Sequence, residues 1–238
     1  MTGGASGSGL SIIVPALDEA ENLARLLPAL AAECPGAEVL VVDGGSADAT
    51  PRVMAAWPRA RYLPSARGRA RQMNAGARAA SGDLYLFLHA DTVLPRGAAA
   101  AIARVLADSA VIGGRFDVAF SSPRWPFRVI AALMNARSRL TGVATGDQAI
   151  FVRRADFEAV GGYPDIPLME DIELSARLKR RGRLACLGLR VITSARKWER
   201  EGIVRTVLLM WTLRLLYFLG VGAGTLHRWY YRPPARGT

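Results

Sequence analysis

Asp83-Leu84-Tyr85-Leu86-Phe87-Leu88-His89-Ala90-Asp91-Thr92 is an apolar run that stops abruptly in His-Ala-Asp. Residues 84–88 carry no charge and predict a strand covered on both faces, as inside a parallel sheet. An imidazole and a carboxylate where such a strand ends project from the C-terminal edge of the sheet, the edge at which open α/β folds take ligands. Two apart on an extended exit, they can reach one metal ion or one metal-bound phosphate. Read alone, Asp91 serves equally well as the cap of the turn Asp91-Thr92-Val93-Leu94-Pro95.

Upstream, Leu10-Ser11-Ile12-Ile13-Val14-Pro15 predicts a first buried strand ended by proline. Asp18-Glu19-Ala20-Glu21-Asn22 opens a helix with acids in its first turn and Leu23, Leu26, Leu27 and Leu30 on one face. Glu38–Asp43 predicts a second strand, Thr50-Pro51 the start of a helix, Ala60–Leu63 a short strand and Arg67–Ala80 a helix. This alternation is that of a doubly wound sheet. Downstream the rhythm changes: a helix over Gly97–Ala107, a strand over Val111–Phe120, an amphipathic basic segment over 124–140, a strand from Gly146 to Val152 and a helix over Ile172–Arg181.

The 238 residues suffice for one large α/β domain. Cys34 and Cys186 have neither metal-like nor redox-like spacing, and the small residues 1–9 lack the apolar core of a signal peptide. Both features predict a cytoplasmic protein. The net charge of +11 is unevenly placed: residues 1–120 hold 11 Arg against 11 acids, residues 121–238 hold 20 Lys and Arg against 9 acids. The excess predicts an anionic partner. No nucleic-acid-binding motif accompanies it, so phosphorylated substrate or lipid headgroups are expected rather than nucleic acid. The apolar stretch Ile203–Leu226 is interrupted by Arg205 and Arg214 and loosened by Gly220, Gly222 and Gly224. A central arginine costs about 2.5–3.5 kcal/mol on insertion, which favours a docked or interfacial helix over a span. The expected organisation is a tail over 1–9, a domain over 10–202, and an apolar, basic helical segment over 203–238.

In order, Ile13–Asn22, Val41–Thr50, Arg69-Ala70-Arg71-Gln72-Met73-Asn74-Ala75-Gly76, His89-Ala90-Asp91 and Met169-Glu170-Asp171-Ile172-Glu173-Leu174 resemble the motifs of family 2 inverting glycosyltransferases. The resemblance covers most of residues 10–200. Gly146-Asp147-Gln148 and the His-Ala-Asp variant resemble the subgroup labelled radical-SAM/selenodomain-associated transferase 2. The fold implied is GT-A, an α/β three-layer αβα sandwich with a mostly parallel mixed sheet.

The resemblance implies a nucleotide-diphosphate sugar as donor, a UDP-sugar first among them, and Mg²⁺ or Mn²⁺. Pro15, Leu17, Glu19 and Asp43 would bound the base and ribose, although Gly44 stands where many relatives carry a second Asp. Arg71, with Arg67 or Arg69, would meet the diphosphate; Asn74 and Ala90 belong to the same donor motifs. Asp91 matches the last acid of the family's Asp-X-Asp motif, which holds the metal. His89 replaces the first acid. It can ligate metal, donate to phosphate or sugar, or simply be packed. In Glu170-Asp171, Asp171 is the expected catalytic base at a helix N-terminus, taking the proton of an acceptor hydroxyl. Asp147 is expected at the acceptor or the donor sugar. Arg196-Lys197-Trp198 stands where processive relatives carry Gln-X-X-Arg-Trp; that motif is absent, which argues against long-chain synthesis. Arg196 and Trp198 would close over the site.

The basic half and the apolar segment predict a hydroxyl acceptor that is lipid-linked and a place at the inner face of an anionic membrane. Two other readings stand beside transfer. A nucleotidyltransferase wants a Gly-rich basic loop after the first strand, whereas residues 15–22 are acidic. A nucleotide-sugar-binding scaffold without catalysis would account for His89.

Overall fold

The structure, a computed structural model, describes residues 9–231. Its first half alternates as predicted: β1 (Leu10–Ala16), α1 (Ala20–Glu33), β2 (Glu38–Asp43), α2 (Thr50–Ala55), β3 (Ala60–Pro64), α3 (Arg69–Ala79) and β4 (Leu84–Phe87). Then come β5 (Thr92–Val93), α4 (Ala98–Val105), β6 (Val111–Phe120), α5 (Trp125–Thr141), a 3₁₀ turn (Gly146–Gln148), β7 (Ile150–Arg153) and α6 (Arg154–Ala159). The remaining elements are α7 (Glu170–Arg181), β8 (Arg183–Thr193), α8 (Arg196–Glu201), α9 (Ile203–Phe218) and α10 (Ala223–Tyr230).

One eight-stranded sheet runs in the order β3-β2-β1-β4-β7-β6-β8-β5. β3, β2, β1 and β4 are parallel, β7 lies antiparallel between β4 and β6, and β8 is again parallel to β6. Successive residues of one strand feed different cores. Ile12 and Val14 pack with Leu23, Leu26 and Leu30 of α1. Ile13 packs with Ala70, Met73 and Ala77 of α3. Both faces are thereby covered, which is why β1 and β4 read as unbroken apolar runs. The result is the α/β three-layer sandwich expected, with its mixed sheet.

Among the differences from the sequence reading, four bear on the architecture around the cleft. Pro15 lies inside β1, opposite Val42, and the strand ends one residue later. Residues 146–148 form a 3₁₀ turn rather than a strand, because Thr145 and Gln148 cap each other reciprocally and hold the chain curled. β8 was not foreseen; its Arg183, Gly188 and Arg190 mask the alternation, and its pairing with β6 is irregular between Phe116 and Asp117. The stretch 203–226 is not continuous: it breaks at Gly220, where φ is +90°, into α9 and α10. Their inner sides, Leu213 and Leu226, bury against Met169 and Ile172. No helix among the described residues is long and apolar enough to cross a membrane. The first eight residues of the expected tail, and 232–238, lie outside the described residues.

Candidate active site

The C-terminal ends of β1 and β4 open into a cleft of about 950 Å³. The end of β1 contributes Pro15 and the loop after it Leu17 and Glu19, the start of α3 contributes Arg69 and Arg71, and the exit of β4 contributes His89, Ala90 and Asp91. The opposite wall carries Asp147, Glu170 and Asp171, and α8–α10 close the far side with Lys197, Trp198, Arg214, His227 and Tyr230.

The end of the cleft beside β1 and β2 is built by lacing two loops together. Asp18 Oδ1 accepts the Ala47 N–H at 2.7 Å, the Asp18 N–H donates to Ser46 Oγ at 2.8 Å, and the Ala20 N–H donates to Asp48 Oδ2 at 3.0 Å. Gln72 Nε2 donates to the carbonyls of Ala16 and Val42, at 2.7 and 2.8 Å, tying α3 to both strand ends. A Cβ on Gly44 would stand 3.2 Å from that same amide, which explains why a small residue replaces the second Asp. Asp43 is 7% exposed and does not line the cleft: its carboxylate accepts Ser46 Oγ at 2.5 Å and Tyr62 Oη at 2.6 Å. Burial and this bond to Asp43 push the Tyr62 phenol up to about 12. Asn74 is also drawn away, both ends of its amide being bonded to the backbone of Tyr163, at 2.8 and 3.0 Å. Arg196 lies outside the cleft too, with Nη1 3.8 Å from Glu21.

Within the cleft, Asp91 accepts, among the described residues, only a 3.3 Å contact from its neighbour Thr92. Burial raises the pKa of Glu19 despite the Asn22 hydrogen bond, and the Asp91 charge adds to the rise. Two neighbouring carboxylates at the exits of β1 and β4 are the oxygen donors a hard divalent cation takes. Across the cleft, Asp171 Oδ2 accepts the Gly146 N–H at 2.7 Å and Oδ1 the Ile172 N–H at 2.7 Å. A carboxylate has about four acceptor positions, so two stay open for a substrate proton. Glu170 is 7% exposed, and burial together with Asp171 raises its pKa. Enclosure in the cleft opposes the Arg69 charge, but Glu170, Tyr231, Asp147 and Asp171 outweigh it and raise the pKa of its guanidinium. Arg71 pairs with Asp165 at 2.8 Å.

His89 Nδ1 stands 3.4 Å from Asp147 Oδ1. Against the upward push of burial, His89, Arg69 and Arg214 lower the pKa of Asp147. Three non-glycine residues with positive φ (Asp18 at 57°, Ala149 at 48° and Met169 at 70°) flank the β1 loop, the 146–148 turn and the start of α7. Backbone strain of this kind gathers where a site must hold a fixed shape. The sequence reading missed Asp165, Arg214, His227 and Tyr230; Arg214 carried a signal, as a charge inside an apolar run.

The cleft thus sets opposed carboxylates and arginines at the C-terminal edge of parallel strands, the edge at which open α/β folds take ligands. Residues 11–159 match the family model described as Glycosyl transferase family 2, and the chain belongs to that family. No curated protein matches the chain. Among solved structures, TarS 1–349 of S. aureus superposes with a TM-score of 0.62 at 16% identity over 79% of this chain. This chain spans 60% of the length of TarS 1–349. A mannosyltransferase of Pyrobaculum calidifontis, in complex with GDP-Man and Mn²⁺, gives 0.65 at 23% identity over 93% of this chain and 69% of its own. Glucosyl-3-phosphoglycerate synthase of Mycobacterium tuberculosis, with Mn²⁺, UDP and glucosyl-3-phosphoglycerate, gives 0.58 at 18% identity over 78% and 71%. These likenesses concern the fold.

Proposed function

We propose that this chain is an inverting, metal-dependent glycosyltransferase that moves a sugar from a nucleotide diphosphate, with UDP the first candidate, to a hydroxyl acceptor. The observation that carries the reading is the convergence, in one cleft, of an unengaged Asp91 on one wall and Asp171 on the other. The neighbours' complexes with UDP, UDP-GlcNAc or GDP-Man and with Mn²⁺ or Mg²⁺ support the donor class. Pro15, Leu17 and Glu19 bound the nucleoside, Asp43 acting through the turn that it holds. Asp91, with Glu19 beside it, would hold Mg²⁺ or Mn²⁺, which when bound offsets charge on the departing diphosphate. Arg69 and Arg71 donate to the same phosphates.

Asp171 takes the proton of the acceptor hydroxyl as its oxygen attacks the anomeric carbon. The bond from that carbon to the diphosphate breaks, and its electron pair leaves with the phosphate. Asp171 lies in the first turn of α7, facing the cleft. Asp147, fixed by His89, faces the sugar or acceptor; Trp198, edge-on to Phe120 at 5.5 Å, offers an apolar wall. The likeness of His89 and the 146–148 turn to the radical-SAM/selenodomain-associated subgroup belongs to this reading. So does the division into a donor-binding domain over 10–202 and a segment over 203–238 that completes the cleft. The acceptor is lipid-linked, met at the inner face of an anionic membrane.

Thermal melts with UDP-, GDP- and dTDP-sugars and Mn²⁺ or Mg²⁺ test the donor site. A ligand at a hundred times its Kd adds about 2.7 kcal/mol, and no shift with any of them would refute the assignment. Asp171→Asn keeps the size of the side chain, although its NH₂ then faces one of the two backbone N–H groups that the carboxylate accepts; turnover should fall about 10²–10⁴-fold while the nucleotide-induced shift persists.

A further inference from the structure

α9 carries large apolar side chains on its inner and its outer side, yet among the described residues only the inner side is covered. Thr206, Met210, Leu213 and Arg214 face the cleft. On the opposite side Val204, Leu208, Trp211, Leu215 and Phe218 recur at helical spacing and are 59–72% exposed. A helix with large apolar side chains on two opposite sides needs a second apolar neighbour. α5 repeats the pattern, with Trp125, Val129 and Leu133 exposed at every fourth residue while Phe127, Ile130 and Met134 enter the core. Stripes of this extent on a soluble surface mark a docking face.

The charges around these stripes say what docks. Residues 118–146 and 202–231, which contain both helices, hold no Asp or Glu and seven Arg. Arg124, Arg128, Arg205 and Arg228 are exposed. Large apolar and indole side chains flanked by cations of one sign match the boundary of an anionic bilayer, where rings and aliphatic chains enter the acyl edge and guanidinium groups meet headgroup phosphates. We infer that the outer face of α9, with the exposed stripe of α5, seats this protein on an anionic lipid surface. The inner face of the same helix is a wall of the cleft, so the seated protein holds its site beside the bilayer. This deepens the proposed acceptor class, but the adsorption itself requires no transfer chemistry.

Sedimentation of the full chain with vesicles of phosphatidylcholine alone or with 30% phosphatidylglycerol tests it, and no donor is present, so a failed transfer assay leaves the result intact. Binding should require phosphatidylglycerol and weaken with salt. Arg128→Gln and Arg205→Gln should each weaken it about fivefold, the equivalent of about 1 kcal/mol per basic residue near the surface. Leu208→Ser with Trp211→Ser should abolish sedimentation while far-UV circular dichroism and the melting temperature hold. Protein that stays in the supernatant with both vesicle types overturns the inference. So does equal binding to both vesicles, or a dimer in light scattering that the double serine variant dissociates without any vesicle binding by the parent.

Discussion

His89 Nδ1 lies 3.4 Å from Asp147 Oδ1, and the other edge of the same ring closes over Gly146. A Cβ built on Gly146 would stand 2.5 Å from His89 Nε2. The imidazole therefore packs directly on the 146–148 turn, whose Gly146 N–H donates to Asp171. It lies in contact with both walls of the cleft, and the expectation that it positions the opposite wall can be tested.

Gly146→Ala should force that ring or the turn to move. Displacing a catalytic group by about 1 Å can cost about 10²-fold, so a fall of that order in turnover is expected, with stability lower by about 1–3 kcal/mol. Adding His89→Ala removes the obstacle. A double-mutant cycle on melting free energies should show coupling of about 0.5–3 kcal/mol; additive effects would contradict the contact.

Glu170 has its pKa raised above the ordinary 4.5 by burial and by Asp171. The folded state then holds the proton longer than the unfolded chain, so stability is full below 4.5 and falls as pH rises through the raised value. Glu170→Gln should melt higher than the parent at pH 8, and the gap should close toward pH 4 in a series of thermal scans.

Glu38 shows the opposite sign. Burial pushes its pKa up, but the Ser81 N–H, the Ser11 and Ser81 hydroxyls and Arg61 overcome this and bring it down to about 2. Its stabilisation is present above 4.5 and lost as pH falls toward 2. Glu38→Gln should lower the melting temperature at pH 7 and leave it unchanged near pH 2.

Arg137 buries Nε and Nη2 without a partner among the described residues. Burial and the neighbouring Arg214 bring its pKa down to about 10, so the folded state bears an unfavourable charge at every lower pH. Arg137→Met keeps the apolar stem and removes that charge. The melting temperature should rise by about 2–4 °C for each 1 kcal/mol recovered. A fall would mean that the guanidinium makes a bond the fold needs.

Legibility differed between the halves of the chain. The first-half strands were plain because residues covered on both faces must be apolar at every position, as in Leu84–Phe87, and Gly and Pro punctuate the turns between them. β8 was hidden because a half-exposed strand tolerates Arg183 and Arg190, and its irregular pairing with β6 leaves no local mark. The motif residues were found, but not their direction. Asp43 and Asn74 are where the motifs put them along the chain, yet one carboxylate is spent on Tyr62 and Ser46 and one amide on Tyr163.

The amino-acid sequence by itself determined the family, the doubly wound first half and the set of acids and arginines, because periodicity and turn chemistry are local properties of the chain. Tertiary structure alone decided which of those groups share a cleft, that His89 answers to Asp147, and that α9 turns one apolar face inward and one outward. Those outcomes depend on contacts between residues far apart in the chain, such as Gly146 with Asp171 or Leu213 with Ile172. No local pattern encodes the distance at which such residues meet.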